Sequence, residues 1–199
     1  CACFDRVIEL DPSHYGAWFN KGKVFTQIQS HLQAIACYET ALISEPHQSQ
    51  GWLQLSLSWQ SLHEPLLALN CLNLGLAKDA NHAALHYAQG LIHLQLSQWQ
   101  MAIDSLEKGL KFHPQHAEAL YNRGLAQQQL RQFDLALESY NRAIQLRKDF
   151  AQAYYSKALI FFELKFHQSA IDQYNLAIEY KPDYFEAHTN KGIVYKDLK

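Results

Sequence analysis

The fold is decided by one stretch near the start of the chain, residues 18–46, which read WFNKGKVFTQIQSHLQAIACYETALISEP. Its apolar residues recur at spacings of three and four, which is the pattern of one face of an α-helix. A short polar break, Gln29-Ser30-His31, separates two such runs, and Pro46 ends the second because proline cannot continue a helix interior. The stretch therefore predicts a helix, a turn and a second helix.

The same pattern recurs along the whole chain at an interval of 34 residues. One column of this repeat is always alanine, at Ala34, Ala68, Ala102, Ala136 and Ala170. A second column is small throughout, at Gly22, Ser56, Gly90, Gly124, Ala158 and Gly192. We expect these small residues where the two helices of a unit cross closely, because a large side chain there would hold the backbones apart. A third column is large, at Tyr38, Leu72, Leu106, Tyr140 and Tyr174, and fills the remaining space.

The repeat also defines the predicted organisation, which is a single array over residues 1–199. The full units are 15–48, 49–82, 83–116, 117–150 and 151–184. Residues 1–14 are interpreted as the second helix of a preceding unit and residues 185–199 as the first helix of a following one, which makes twelve helices. One hairpin cannot bury its apolar face alone, whereas stacked hairpins can. Because the chain begins at Cys1 without an initiator Met or a signal peptide, we expect a fragment of a longer protein.

Composition narrows the class of protein. Apolar residues make up 48% of the chain and charged residues 18%, which is enough to build a core and is not typical of disorder. Lys and Arg total 17 against 19 Asp and Glu, a net charge of −2, so no basic excess indicates nucleic acid. No apolar run has the length that a membrane-spanning helix needs. The composition therefore favours a protein that binds neither nucleic acid nor the membrane interior.

The repeat resembles the tetratricopeptide family, whose 34-residue pattern is Trp-x2-Leu-Gly-x2-Tyr, then Ala-x3-Phe, then Pro. The first unit reads Trp18-x2-Lys21-Gly22-x2-Phe25, Ala34-x3-Tyr38 and Pro46. The resemblance covers the whole chain and implies an all-α fold, a right-handed superhelical solenoid of helix-turn-helix repeats. It also implies a concave groove, lined by the first helices, that binds a peptide or helix of a partner protein.

Catalytic, cofactor and metal sites are not indicated. His82 and His86, like His113 and His116, are close in sequence, but neither pair has the third and fourth ligands that a metal site needs. His86 and His93 occupy aromatic positions of the repeat, where we expect partly buried rings. Cys3, Cys37 and Cys71 recur every 34 residues and suggest either a redox ladder or small core residues. Since neighbouring helices lie about 8–10 Å apart, we expect free thiols, which favour a reducing, cytoplasmic compartment.

The resemblance places certain positions of each first helix in the groove, and from them we predict the residues that contact a partner. They are Asn20, Lys23, Gln54, Leu57, Tyr87, Leu91, Tyr121, Asn122, Leu125, Tyr155, Leu159 and Asn190. The family usually carries a polar residue where this chain has Leu57, Leu91 and Leu125. Two interpretations stay open: these leucines form an apolar stripe for a ligand, or they pack between helices. The related groove that clamps a C-terminal carboxylate needs Lys and Asn where this chain has Phe19 and Lys23, which argues against that variant.

The function indicated is a non-catalytic scaffold that binds a partner protein across the second to fifth units. The alternative is a structural spacer or a self-association module that uses the uncapped ends of the array. Charge columns further predict ion pairs between successive units, at a separation of 19 residues: Asp104–Arg123, Glu138–Lys157 and Asp172–Lys191. The same reasoning leaves Lys21 without an acidic partner.

Overall fold

A computed structural model describes residues 2–198 of the chain, so Cys1 and Lys199, the outer ends of the two predicted half units, lie outside it. Within that range the chain forms twelve α-helices and no strand, as the sequence predicts. The helices are α1 Ala2–Leu10, α2 Tyr15–Gln27, α3 His31–Ser44, α4 Ser49–Ser61, α5 Pro65–Lys78, α6 Ala83–Gln95, α7 Trp99–Phe112, α8 Ala117–Gln129, α9 Phe133–Leu146, α10 Ala151–Glu163, α11 His167–Tyr180 and α12 Phe185–Asp197.

The chain divides into two compact units, an N-terminal unit of Cys1–Ser97 and a C-terminal unit of Gln98–Lys199. In the N-terminal unit α2 pairs with α3 and α4 with α5, while α3 packs on α4 and α5 on α6. In the C-terminal unit α8 pairs with α9 and α10 with α11, while α7 packs on α8, α9 on α10 and α11 on α12. The second helices α3, α5, α9 and α11 are thus each enclosed between two first helices, which is how stacked hairpins bury their apolar faces.

The turn between the two helices of a hairpin has the same backbone form in every repeat. Its middle residue is in the left-handed region, with φ between 55° and 65° at Gln29, His63, Ser97, Arg131 and Lys165. In the first turn the Ser30 N–H donates to the Phe25 carbonyl and the Gln29 N–H to the Thr26 carbonyl. These hydrogen bonds cap the C-terminus of the helix, because they satisfy its last carbonyls. They stabilise a non-glycine residue at positive φ. The backbone rather than glycine therefore sets the turn.

The helix crossing depends on the pairing of a small residue with a ring. A Cβ built on Gly124 would lie 2.6 Å from Tyr140 Cε1, and one on Gly22 would lie 2.6 Å from Tyr38 Cε1. Both tyrosines are fully buried, as is the alanine column from Ala34 to Ala170. The small columns therefore let the second helix lay a large side chain against the backbone of the first, as the sequence predicts.

We expect Gly124→Ala to lower the stability of the C-terminal unit by about 1–3 kcal/mol, because the added methyl meets a ring that the core holds in place. The matched control is Gly192→Ala, at the equivalent position of α12, where the Cβ meets no atom within 4 Å. That change should gain up to about 1 kcal/mol from helix propensity. Urea unfolding followed by circular dichroism measures both. Equal effects of the two substitutions would contradict the close approach of α8 and α9 at Gly124.

Candidate functional site

The predicted groove residues of the N-terminal unit lie on the first helices α2, α4 and α6, which contact their neighbours in order. Leu57 on α4 and Leu91 on α6 occupy equivalent positions and are 41% and 45% exposed. Gln54 is half-buried beside Leu57, whereas Asn20 and Lys23 on α2 are exposed. Adjacent first helices therefore present two large apolar side chains in a row to solvent.

Two of the predicted polar contacts of this unit already have partners within it. The Asn20 amide donates to the Gly16 carbonyl of its own helix at 2.8 Å, and the Lys23 ammonium lies 5.9 Å from the centre of the Phe19 ring. Tyr87 is buried, with 8% of its surface exposed. Tyr87 therefore forms part of the wall beneath the face and presents little surface to a ligand.

In the C-terminal unit the predicted tyrosines form the floor of the face. The Tyr121 ring lies 5.7 Å from that of Tyr140 and 4.9 Å from that of Phe150. The same arrangement recurs one repeat later, where Tyr155 lies 5.9 Å from Tyr174 and 4.9 Å from Tyr184. Each first-helix tyrosine is half-buried and contacts two aromatic rings at tilted angles, a geometry that favours ring contacts.

The remaining predicted residues of this unit are less exposed than their N-terminal counterparts. Leu125 packs against the core around Ala136, Tyr140 and Ile160, and Leu159 packs against the core around Tyr174. Asn122 is half-buried, and the Asn190 amide donates to the Tyr155 hydroxyl at 2.8 Å. The leucine row is thus exposed in the N-terminal unit and shared with the core in the C-terminal unit.

Contacts between successive repeats follow a different register from the predicted one. None of the three predicted pairs occurs among the ion pairs of residues 2–198. The partners lie 16 residues apart instead: the Lys21 ammonium is 2.7 Å from the Asp5 carboxylate, and the Arg123 guanidinium is 3.5 Å from that of Glu107. The Gln89 amide donates to Asn73 at the same separation, at 2.8 Å. The prediction that Lys21 lacks an acid is therefore wrong.

The physical reason is the short turn between a second helix and the next first helix. Two antiparallel helices joined by such a turn place side by side the residues that lie equally far from it. Asp5 lies five residues before the end of α1 and Lys21 six after the start of α2, so they face one another. The predicted acids lie three residues earlier on their helices, which places them about one helical turn too far from the connecting turn.

A row of hydrogen bonds that the repeat pattern does not predict explains the Trp and His residues near the start of the first helices. The Trp18 and Trp52 indoles donate to the carbonyls of Pro12 and Pro46, six residues earlier. His86 Nε2 contacts the Ala80 carbonyl at 2.9 Å at the same separation, and His86 is buried. The ring thus ties α2, α4 and α6 to the turn before each of them, and the signal that could have revealed it is the ring N–H that Trp and His share.

A departure from the aromatic pattern in the fourth repeat has its own explanation. Gln127 stands where other repeats carry an aromatic ring and is buried. The Ser139 hydroxyl donates to Gln127 Oε1 at 2.6 Å, and Arg123 Nε donates to the same hydroxyl at 3.0 Å. A buried amide needs such partners, because an unpaired one would destabilise the fold. This chain of bonds explains why a polar residue can stand in the core here.

The cysteines and histidines within residues 2–198 form neither a disulfide nor a metal-binding cluster. Cys3, Cys37 and Cys71 are free thiols in the structure. Burial raises the pKa of the Cys37 thiol, and burial together with the Glu39 carboxylate raises the pKa of the Cys71 thiol to about 11. A thiol with such a pKa is protonated near neutral pH and is a poor nucleophile. In the same residues no three His, Cys, Asp or Glu side chains are placed to hold a metal ion.

Comparison with family models identifies the class of protein. Models of tetratricopeptide (TPR) repeats match residues 2–51, 117–150 and 160–199, which together span more than half of the chain. The chain belongs to the tetratricopeptide repeat family. Proteins of this family are generally non-catalytic scaffolds for interactions between proteins. A search of the curated proteins finds no match.

Solved structures of TPR proteins share the fold at low sequence identity. MamA is 23% identical with a TM-score of 0.77, and the match covers 83% of this chain and 96% of MamA. YrrB, described as a TPR protein with an unusual peptide-binding site, is 18% identical with a TM-score of 0.81 and coverage of 95% and 97%. The Cut9–Hcn1 hetero-tetramer of the APC/C is 23% identical with a TM-score of 0.76, covering 96% of this chain and 38% of that one.

Of the helices in residues 2–198, none combines the length and the apolar character needed to cross a bilayer.

The buried tyrosines predict a loss of stability at alkaline pH. Burial raises the pKa of Tyr121, Tyr140, Tyr155 and Tyr174, and burial raises the pKa of Tyr184 to about 12. A folded-state pKa above the unfolded value of about 10 means that this stabilisation is complete below pH ~10 and is lost as the pH rises through the folded pKa. We expect the urea midpoint of the C-terminal unit to fall steadily above pH ~10.

This fall should coincide with the appearance of tyrosinate absorbance. Tyr184→Phe should reduce the slope of the fall with pH, because one buried phenol no longer titrates. Tyr195→Phe, on the exposed surface of α12, is the control for removing a phenol. A midpoint that stays constant while tyrosinate appears would contradict the assignment of these rings to the core.

Proposed function

We propose that this chain is a non-catalytic scaffold that binds a peptide or helix of a partner protein on the face formed by its first helices. The observation that carries the proposal is the pair of exposed leucines, Leu57 and Leu91, at equivalent positions of the adjacent helices α4 and α6. Large apolar side chains that share an exposed row mark an interaction surface more often than isolated ones do.

The spacing of the row indicates what a ligand must present. Neighbouring packed helices lie about 8–10 Å apart, so two anchors on the ligand must have a similar separation. An extended segment of polyproline II form gives this distance between residues three apart, which lie on the same side of it, at about 3.1 Å per residue. A helix gives it between residues seven apart, at about 1.5 Å per residue. The polar Gln54, Gln60 and Gln95 border the row and can accept or donate hydrogen bonds at its edge.

In the C-terminal unit, the surface proposed to contact a ligand is aromatic and polar rather than a row of exposed leucines. Tyr121 and Tyr155 offer ring edges and hydroxyls, and Asn122 offers an amide, while Leu125 and Leu159 contribute only the surface that the core leaves open. Of the acids that would favour a basic ligand, Glu118 already pairs with Arg147 and Glu163 with Arg131. We therefore propose a ligand with spaced apolar anchors and little net charge.

The test uses peptides selected from a displayed random library on the wild-type chain. We expect the selected peptides to carry apolar residues three or seven apart and to lose at least about tenfold in affinity to the double variant Leu57→Asn, Leu91→Asn, since each change removes an apolar contact. Because both leucines are exposed, this variant should stay folded by circular dichroism.

The matched control is Leu66→Asn, which removes an equally apolar side chain, 68% exposed, from the second helix α5 of the same unit. It should leave the affinity unchanged. If the double variant binds the selected peptides as the wild type does, the leucine row is not the binding surface.

A second candidate function, self-association, is favoured by the surface of α12. Phe185 is 77% exposed at the start of this helix, and Ile193 and Tyr195 are exposed more than two turns further along it. A helix that exposes several large apolar side chains is suited to burial against another helix. A structural or self-assembling array would use this surface rather than the leucine row.

We expect Phe185→Ser with Tyr195→Ser to abolish any concentration-dependent association seen by sedimentation velocity, because it removes the two largest exposed rings of α12. The double variant Leu57→Asn, Leu91→Asn should leave association unchanged. A wild-type chain that sediments as a monomer at all concentrations would exclude self-association through α12.

A further inference from the structure

The second repeat departs from the ion pairing that joins its neighbours in the first and fourth repeats. The residue at the seventh position of a first helix meets the residue 16 earlier on the preceding second helix, as in Lys21 with Asp5 and Arg123 with Glu107. In the second repeat the two positions hold Leu55 and Glu39. The acid is retained while the cation is replaced by leucine. In the part of the chain that the structure describes, Glu39 has no ion pair or hydrogen bond of its side chain.

The first repeat shows what the second lacks. There the Lys21 ammonium contacts the Asp5 carboxylate and also lies over the Trp18 ring, 5.2 Å from its centre. The second repeat keeps the equivalent of that ring, Trp52, together with the acid Glu39. An acid and an aromatic face that together hold a cation in one repeat therefore stand without one in the next.

A pocket lies where the second repeat has Leu55 in place of a cationic side chain. It has a volume of about 330 Å³ and lies between α3, α4 and α5 of the N-terminal unit. Trp52, Leu55, Trp59 and Cys71 line it, and Glu39 and Asn70 are its polar lining groups. Its volume falls at the lower end of the range in which proteins bind small ligands or single large side chains.

The pocket is open to solvent at an apolar rim. Leu67 and Leu74 on α5 are 42% and 45% exposed, and Ile43 on α3 is 83% exposed. Leu55 itself is buried beneath them, with 3% exposed. A side chain that enters the pocket would cover apolar surface at the rim and reach the carboxylate of Glu39.

This pocket is separate from the row of leucines on the first helices. Leu55 and Leu57 are two residues apart on α4, so they project about 200° apart around the helix axis. Trp52 and Trp59 lie on the same side of α4 as Leu55, since they are three and four residues from it. The pocket therefore faces away from the surface proposed above to bind a peptide.

We propose that this pocket is a second protein-binding site, which takes from a partner an arginine or lysine together with a neighbouring large apolar side chain. The cation replaces the absent partner of Glu39 and lies over Trp52, as Lys21 lies over Trp18, and the apolar group fills the space above Leu55. A cation over a Trp face and beside a carboxylate gains from both contacts. The charge of Glu39 and the apolar rim thus select a ligand that is both cationic and apolar.

The probes for the test are phenethylguanidinium and its neutral counterpart of the same shape, phenethylurea. Binding is followed by the NMR signals of the indole N–H groups, assigned by Trp→Phe variants. We expect the signals of Trp52 and Trp59 to shift while that of Trp18 stays fixed. The guanidinium should bind about three- to five-fold more tightly than the urea, the difference that one partly exposed ion pair supplies.

Two substitutions separate the charge from the space. Glu39→Gln should keep the pocket and bring the two probes to equal affinity, whereas Glu64→Gln, an exposed acid outside the pocket, should keep the preference. Leu55→Arg should fill the pocket, pair with Glu39 and abolish binding of both probes. Because the exposed Glu39 can change without disturbing the core, its variant tests the proposal even if Leu55→Arg unfolds.

The proposal is overturned if neither probe shifts the two indole signals, if the wild type binds both probes equally, or if Glu39→Gln retains the preference for guanidinium. None of these outcomes bears on the row of Leu57 and Leu91, which lies on the other side of α4. Conversely, loss of peptide binding in the variant of those leucines leaves this pocket untouched.

Discussion

The close approach of the two helices in each hairpin is the constraint on which the rest of the structure depends. Where a first helix carries Gly22 or Gly124, the ring of Tyr38 or Tyr140 lies against its backbone, and a methyl group would not fit without a shift. That contact sets the distance between the helices and buries the ring completely. The aromatic floor beneath Tyr121 follows from it, because Tyr140 supplies one side of that cluster.

The sequence was sufficient for the helices, the helix crossing and the columns of buried residues, and it failed on the contacts between repeats. Periodicity reports which residues share a face, and the alanine column at Ala136 is buried as that argument requires. It does not report how far one helix is displaced along the next. The predicted pair Asp104–Arg123 differs from the observed Glu107–Arg123 by a single helical turn, so both acids suit the same face. Only the length of the turn between helices distinguishes them.

The candidate groove was likewise predictable as a set of positions but not as a surface. Leu57 and Leu125 occupy the same column, yet one is exposed and the other packs against the core around Tyr140. The exposure of each leucine depends on the size of the side chains around it. Those side chains belong to other columns of the repeat, so one column does not predict it. The hydrogen bond from Asn190 to Tyr155 was also outside the reach of the sequence, because it joins residues 35 apart through the packing of two repeats.

The absence of a cation opposite Glu39 also affects where a partner can come to rest. A row of equivalent repeats offers a bound chain the same contacts after a shift of one repeat, so identical repeats leave the alignment of the two molecules undetermined. Leu55 and Glu39 make the second repeat chemically different from the first, in which Lys21 already satisfies Asp5. A molecule that engages this repeat is fixed at one place along the row. The loss of one ion-pair partner within the protein is thus sufficient to distinguish one repeat of a periodic surface from its neighbours.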